Sequence, residues 1–286
     1  MSDLCLPKLP DLMITPSVQS ALLEDLGRAG DITTESVIPT QTQAHVVLAA
    51  REPGVISGLD FARIAFKLVD PELIFEAVCA DGEEVTKDKI LAHIRGSARS
   101  ILTAERVALN FLCHLSGISS VTAHIARDIA HTKAQISCTR KTTPGLRFAE
   151  KYAVRAGGGR NHRFGLDDAV LIKDNHIAIA GGVGLAIDRA RAYIGHLVKI
   201  EVEVDTLEQL QEALAHKPDV VLLDNMSLDT LRQAVKMING EAIAEASGRI
   251  NRETARGIAE TGVDLLSAGW LTHSAKILDI GLDFAG

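Results

Sequence analysis

"VKIEVEVDTLEQLQEALAHKPDVVLLDNMSLDTLRQAVKMI", residues 198–238, carries one two-part pattern twice. A short β-branched run, VKIEVEV (198–204), leads into TLEQLQEALAH (206–216), which opens with a capping-box pair, Thr206 and Gln209. A second run, DVVLL (219–223), leads into SLDTLRQAVKMI (227–238), with Ser227 as its cap. Strand–helix alternation of this kind means parallel strands, in a barrel or in a doubly wound sheet.

The pattern extends in both directions. AQISC (134–138) and AVLI (169–172) precede it; AIAEA (242–246) and VDLLS (263–267) follow. Between the last two, NRETARGIAETG ends in Gly262, a C-terminal helix stop. Each run closes on polar residues. In order these are Thr139, Arg140 and Lys141; Lys173, Asp174 and Asn175; Glu203 and Asp205; Asp224 and Asn225; Ser247 and Gly248; Ser267, Ala268 and Gly269. In α/β barrels such strand ends converge on one face, where the active site lies.

The ends sort by charge. Arg140, Lys141, Arg163 and Lys173, with His162, predict a cationic basin. Guanidinium groups hold carboxylates and phosphates through paired donors, and lysine acts as a point charge. Glu203 and Asp224 lie on neighbouring strands, and paired carboxylates beside such cations suit Mg²⁺. Ser247–Gly248 and Ser267–Ala268–Gly269 can present backbone N–H groups to a phosphate before a helix. The three glycines at 157–159 leave backbone bare for close ligand approach. The expected substrates are small, multiply anionic, and include a phosphate.

Several polar residues are kept out of this site. Glu201 and Asp205 read as solvent or salt-bridge residues, and His114 and His124 as structural helix residues. His176 reads equally as a cap and as a ligand. Arg147, Lys151 and Arg155 recur at helical spacing, as an exposed face or as a border of the anion site.

The first hundred or so residues differ. AHVVLAAREPGVISG (44–58) and LIFEAVCADGEEVTKDKILAHIRG (73–96) are β-branched runs broken by Pro-Gly, Asp-Gly and Gly, which predicts strands and tight turns. LDFARIAFKLVD (59–70) between them has helical apolar spacing at Phe61, Ile64, Ala65 and Leu68. A long helical stretch follows from Thr103, its expected N-cap, and a break is expected at Ser116–Gly117. That break sets the expected domains at residues 1–116 and 117–275.

Composition narrows the function classes. With 47% hydrophobic and 23% charged residues the chain is globular, and 3% aromatics leave the core to aliphatic side chains. A net charge of -7 argues against a nucleic-acid coat, so an anion must meet a local cationic site. Cys5, Cys79, Cys113 and Cys138 are far apart with no metal spacing, as in a reduced cytoplasmic chain. Cys138 reads as a buried strand thiol rather than a reactive one. The opening MSDLCLPKLPDLM lacks the pattern of a secretory leader, and no run is long enough for a membrane span.

The segment TRKTTPGLRFAEKYAVRAGGGRNHRFGLDDAVLIKDNH (139–176) closely resembles the signature of the quinolinate phosphoribosyltransferase family. EVEVDTLEQL, LLDNM, EASG and GVDLLSAGWLTHS follow in the family's order; EDLGRAGDITTESVIP and LTAERVALNFLCHLSGIS resemble its earlier motifs. The resemblance implies an N-terminal α/β sandwich-like domain, rejoined by the tail 276–286, plus an open α/β barrel of about six parallel strands. It implies conversion of quinolinate and phosphoribosyl pyrophosphate to nicotinate mononucleotide, CO₂ and pyrophosphate with Mg²⁺, in a homodimer with shared sites. By the same resemblance Arg140, His162, Arg163 and Lys173 hold the quinolinate carboxylates, and Arg106 joins them from the partner. Lys141, Glu203 and Asp224 serve the ribose, metal and pyrophosphate end; Ser247, Gly248, Ser267 and Gly269 line the phosphate pocket. One position departs from the pattern: Arg249 stands where relatives often have glycine, so no phosphate contact is expected there. The alternatives are a molybdenum-operon-type paralogue acting on another ring acid, a Schiff-base aldolase using Lys173, and a non-enzymatic sensor of phosphorylated metabolites.

Overall fold

The computed structural model describes residues 6–285, so Cys5 lies outside the described residues. In chain order the elements are α1 (Asp11–Leu26), α2 (Ile32–Val37), β1 (Gln43–Ala50), β2 (Gly54–Val55), α3 (Leu59–Val69), β3 (Ile74–Ala77), β4 (Glu84–Val85), β5 (Ile90–Ser97) and α4 (Ala98–Asp128). They continue as β6 (Gln135–Ser137), α5 (Arg147–Ala156), β7 (Val170–Ile172), α6 (Asp174–Ala180), α7 (Val183–Tyr193), β8 (Ile200–Val204), α8 (Leu207–Ala215) and β9 (Val220–Asp224). The last are α9 (Leu228–Ile238), β10 (Ile243–Ser247), α10 (Ala255–Ala259), β11 (Leu265–Ser267), α11 (Trp270–His273) and β12 (Ile280–Phe284).

The chain divides into two compact units. One comprises the chain up to Ala123, Thr143–Gly158 and the stretch from Thr272 on; the other comprises His124–Thr142 and Gly159–Leu271.

The first unit is built on a four-stranded antiparallel sheet in the order β12-β1-β5-β3. The C-terminal strand β12 pairs with β1 from Val46↔Phe284 to Ala50↔Ile280, so the tail does return to this unit. Helix α1 buries Ile14, Val18 and Leu22, a single stripe at four-residue spacing, and packs on α3. In α3, Phe61, Ile64 and Ala65 are buried as expected, but Phe66 is buried in place of Leu68, which is exposed. The expected break at Ser116–Gly117 does not exist, because α4 runs through it unbroken. Gly117 answers a different need: a Cβ there would stand 2.3 Å from the Lys276 carbonyl oxygen, so the glycine lets the tail lie against the helix. Thr103 is not a cap either. The helix already begins at Ala98, and the Thr103 hydroxyl donates to Asp31 Oδ2 at 3.1 Å.

The second unit is built on a six-stranded parallel sheet in the order β6-β11-β10-β9-β8-β7. The six apolar runs read from the sequence are these six strands. β6 and β7 are consecutive in the chain yet form opposite edges, which leaves the barrel open between them. Helix termini are set by local chemistry: Thr206 Oγ1 accepts from Gln209 N at 3.2 Å and Ser227 Oγ accepts from Thr230 N at 3.1 Å. Between its caps α9 buries Leu231, Ala234 and Ile238 on one stripe. No helix among the described residues is long and apolar enough to cross a membrane.

Candidate active site

Residues paired across a parallel ladder point to the same face, so the register sorts every side chain of this sheet. Glu201 lies opposite Val220 and Glu203 opposite Leu222; Glu245 also lies opposite Leu222, and Ser247 opposite both Asp224 and Ser267. One face therefore carries Glu201, Glu203, Asp224, Glu245, Ser247 and Ser267. The alternate residues, among them Val202, Val204, Val221, Leu223, Ala246 and Leu266, are all buried and apolar. Helices α7 to α10 pack on these strands. The polar face is the inside of the open barrel.

At the carboxyl ends, charges of both signs gather. Lys173 Nζ lies 3.4 Å from Glu203 Oε2, and the Lys173 side chain is half exposed. Burial lifts the Glu203 carboxyl above its usual range, Lys173 counters this, and the nearby Asp224 carboxylate lifts it further. Glu203 and Asp224 thus form a like-charged pair of hard oxygen donors, the donor set that a divalent cation neutralises. Asp224 is held by its neighbour: Asn225 Nδ2 donates to Asp224 Oδ2 at 2.5 Å. Asn225 takes a positive φ of 52°, and its N–H donates to the Ser247 carbonyl at 2.9 Å. Gly248 must be glycine here, since a Cβ would stand 2.2 Å from Asn225 Oδ1.

The cations form a second group. Arg163 Nη1 donates to the Ala169 carbonyl at 3.0 Å, and its buried Nε has no hydrogen-bond partner. Burial and the neighbouring Arg140 guanidinium pull Arg163 below its usual pKa, with Glu201 and Asp168 working the other way. Two guanidinium groups close enough to repel one another, one of them with an orphan donor, make a site that an anion relieves. The strand-end loop of Thr139 and Lys141 is set against Gly269: a Cβ on that glycine would meet Lys141 Cδ at 2.7 Å and Thr139 Oγ1 at 3.1 Å. Thr139 Oγ1 in turn accepts from Lys141 N at 3.0 Å.

Two expected site residues face inward. The Ser267 hydroxyl is buried and donates to Glu245 Oε1, so its side chain is committed to the barrel interior. His162 meets Glu201 Oε2 at 2.8 Å and Glu245 Oε1 at 3.7 Å through Nε2. Arg106 is exposed on α4 in the first unit. Arg249 is exposed and takes a positive φ of 53°.

Sequence reasoning missed Glu245 and set Glu201 aside, yet both are buried inside the barrel. The signal was present. A glutamate alternating with valine in IEVEV, or set in the middle of AIAEA, must face inward when the other strand face is covered by helices. Lys151 is likewise buried rather than on an exposed face, as is its neighbour Glu150, which His114 Nε2 meets at 2.9 Å. His176 is a cap: its Nδ1 accepts from Lys173 N at 3.0 Å. Cys138 is buried and its Sγ lies 3.4 Å from Asn161 Oδ1. Cys79, Cys113 and Cys138 form no disulfide among the described residues, and burial pushes the Cys79 thiol up to about 12.

Residues 31–116 match the family model "Quinolinate phosphoribosyl transferase, N-terminal domain" and residues 118–283 match "Quinolinate phosphoribosyl transferase, C-terminal domain". A "Probable nicotinate-nucleotide pyrophosphorylase [carboxylating]" of Bacillus subtilis is 44% identical over 262 residues, 91% of this chain and 90% of that one. The "Nicotinate-nucleotide pyrophosphorylase [carboxylating]" of Mycobacterium leprae is 45% identical over 273 residues, 93% of this chain and 95% of its own. Among solved structures, the nicotinate-nucleotide pyrophosphorylase from Francisella tularensis superposes with a TM-score of 0.93 at 38% identity, covering 99% of both chains.

Proposed function

The chain belongs to the quinolinate phosphoribosyl transferase family, and we infer that its barrel site runs the family's reaction: transfer of phosphoribosyl from phosphoribosyl pyrophosphate to quinolinate with decarboxylation, giving nicotinate mononucleotide, pyrophosphate and CO₂ for pyridine nucleotide synthesis. The observation that best supports this reading is that one unit holds both the Arg140–Arg163 pair and the Glu203–Asp224 carboxylate pair. A dicarboxylate needs the first pair, and a phosphorylated ribose that loses pyrophosphate needs the second.

The residues divide the work. Arg140, Arg163 and Lys173 bind and orient the quinolinate carboxylates. Lys141, seated against Gly269, faces the departing pyrophosphate. Backbone N–H groups at Ser247–Gly248 and Ala268–Gly269 hold the ribose phosphate. Glu203 and Asp224 orient the ribose hydroxyls and would hold Mg²⁺, for which their oxygen-only donor set fits. Bound there, Mg²⁺ supplies charge neutralisation for pyrophosphate oxygens. The ring nitrogen attacks ribose C1 as the C1–O bond to pyrophosphate breaks. The nitrogen is then quaternary, so the adjacent carboxylate leaves as CO₂; the electron pair left at ring C2, stabilised by the ring cation, takes a proton. Alignment alone is worth about 7–11 kcal/mol in such a reaction.

We place the reaction in the cytoplasm, in keeping with cysteines at positions 79, 113 and 138 that are far apart in the sequence with no metal spacing. We assign Arg106 to the neighbouring site of a homodimer, a role consistent with its exposure on α4. The names of the matching family models favour quinolinate over the ring acid of a molybdenum-operon paralogue. Lys173, half exposed and beside a carboxylate, is not the desolvated amine that a Schiff-base aldolase requires. The test is direct: purified protein with quinolinate, phosphoribosyl pyrophosphate and Mg²⁺ releases nicotinate mononucleotide and CO₂. Folded protein without turnover defeats the assignment. Mixing Arg106→Ala with Lys141→Ala subunits, each inactive alone, restores activity if sites are shared; no restoration defeats the shared-site reading.

A further inference from the structure

The barrel interior holds a cluster that the reaction just described does not use. Polar atoms of His162, Glu201 and Glu245 all lie within 4.8 Å of one another, and both glutamates are buried. The His162 ring is engaged on both sides. Its Nδ1 accepts from the Arg163 backbone N–H at 2.8 Å, and its Nε2 lies 2.8 Å from Glu201 Oε2.

A backbone N–H can only donate, so Nδ1 must offer its lone pair. The ring proton then sits on Nε2 and is donated to Glu201. Two consequences follow. The ring keeps no N–H for a substrate carboxylate. It also keeps no lone pair on Nε2, so the cluster is not a metal site despite its spacing.

The cluster does reach Arg163. The ring holds the Arg163 backbone directly. Glu201 acts on the guanidinium through space, sustaining its charge against burial and against Arg140. Beneath them Glu245 accepts from the Ser267 hydroxyl and faces His162 Nε2, which closes the chain across β8, β10 and β11.

We propose that Glu201 and His162 are positioning residues for Arg163, in which the carboxylate fixes the ring tautomer and the ring fixes the arginine backbone, and that His162 does not itself touch substrate. This rests on the reading that Arg163 binds a quinolinate carboxylate, and it reassigns one residue that the family resemblance places on the ligand.

Two measurements test it. In steady-state kinetics Glu201→Gln raises the KM for quinolinate roughly tenfold while kcat and the KM for phosphoribosyl pyrophosphate stay near wild type. His162→Asn, whose amide oxygen can still accept the Arg163 N–H, keeps more quinolinate affinity than His162→Ala. Unchanged quinolinate KM in Glu201→Gln, or an equal rise in both KM values with a fallen melting temperature, overturns the proposal. The second measurement needs no turnover. In ¹⁵N-imidazole spectra of the wild-type protein, with the His162→Asn spectrum for assignment, Nδ1 is unprotonated and Nε2 protonated, and saturating quinolinate leaves both unchanged. Protonation of Nδ1 on adding quinolinate, or loss of the Nε2 proton on adding Zn²⁺, overturns it. Failure of wild-type turnover would remove the enzymatic reading and leave the tautomer result standing.

Discussion

The two faces of the parallel sheet are made from alternate residues of the same strands, and they obey opposite rules. On the helix-covered face Val202, Val204, Val221, Leu223 and Ala246 are buried beneath α7 to α10. On the barrel face Glu201, Glu203, Asp224, Glu245 and Ser267 crowd together, at a cost in desolvation and repulsion that is visible in the raised carboxyls of Glu203 and Glu245. The first face holds the chain together. The second is tolerated because the first is secure, and it sets like charges close together, Glu203 beside Asp224 and Glu245 beside Glu201. Strand β9 shows the division between adjacent residues, Leu223 on one side and Asp224 on the other.

The sharpest way to break that comparison is to truncate each of the two neighbours. Asp224→Ala should lower kcat/KM by about 10³-fold, the scale for losing one electrostatic contact to a transition state, while unfolding free energy stays within about 0.5 kcal/mol. Leu223→Ala should do the reverse, costing about 3 kcal/mol of stability at a buried aliphatic site while both KM values stay at wild type. Steady-state kinetics and denaturant unfolding on the same preparations decide it. If Asp224→Ala also destabilises strongly, or Leu223→Ala changes substrate affinity, the faces are not separable in the way their chemistry suggests.

A smaller effect sharpens the account of the barrel interior. Glu245 is pushed up to about 7 by burial first and by Glu201 second, with His162 and Ser267 acting against them. A carboxyl raised in the folded state favours folding when protonated. Its contribution is complete below the ordinary carboxyl range and is lost as pH climbs through about 7. Glu245→Gln, a neutral shape match, should therefore flatten the fall in melting temperature over that window. An unchanged slope would mean that Glu201, His162 and Ser267 compensate for the charge better than the geometry implies.

The sequence disclosed the outer face more fully than the inner one. Six apolar runs with polar ends were enough to place β6 to β11, because helix-covered strands must be apolar at alternate positions and must stop somewhere. The rim residues Arg140, Lys173, Glu203 and Asp224 were legible for the same reason: each ends a run. Glu201 and Glu245 were not, because a charge inside a strand looks like a solvated residue until the register shows that its face is enclosed. His162 illustrates a further limit. Its type and position suggest a cation for substrate, and its Nδ1 accepts a backbone N–H from the next residue, a contact that no side-chain pattern encodes. Glycine is a weak helix former, so Gly117 reads as a helix break in the sequence, whereas tertiary contact with the tail demands the absent side chain.

The smallest expected effect concerns Arg249, where the two rules meet. It follows the Ser247–Gly248 turn, takes a positive φ of 53°, and its carbonyl accepts from Thr254 Oγ1 at 2.8 Å. The backbone conformation is therefore needed, while the arginine side chain is exposed and strained in it. Arg249→Gly should relieve the left-handed strain and raise stability by about 1 kcal/mol, less whatever the freer unfolded chain takes back. Thermal unfolding measures this directly. The KM for phosphoribosyl pyrophosphate tells which face the residue serves. An unchanged value assigns Arg249 to the turn alone, with phosphate held by backbone N–H groups, whereas a raised value would bring its guanidinium into the phosphate site and extend the cationic rim by one residue.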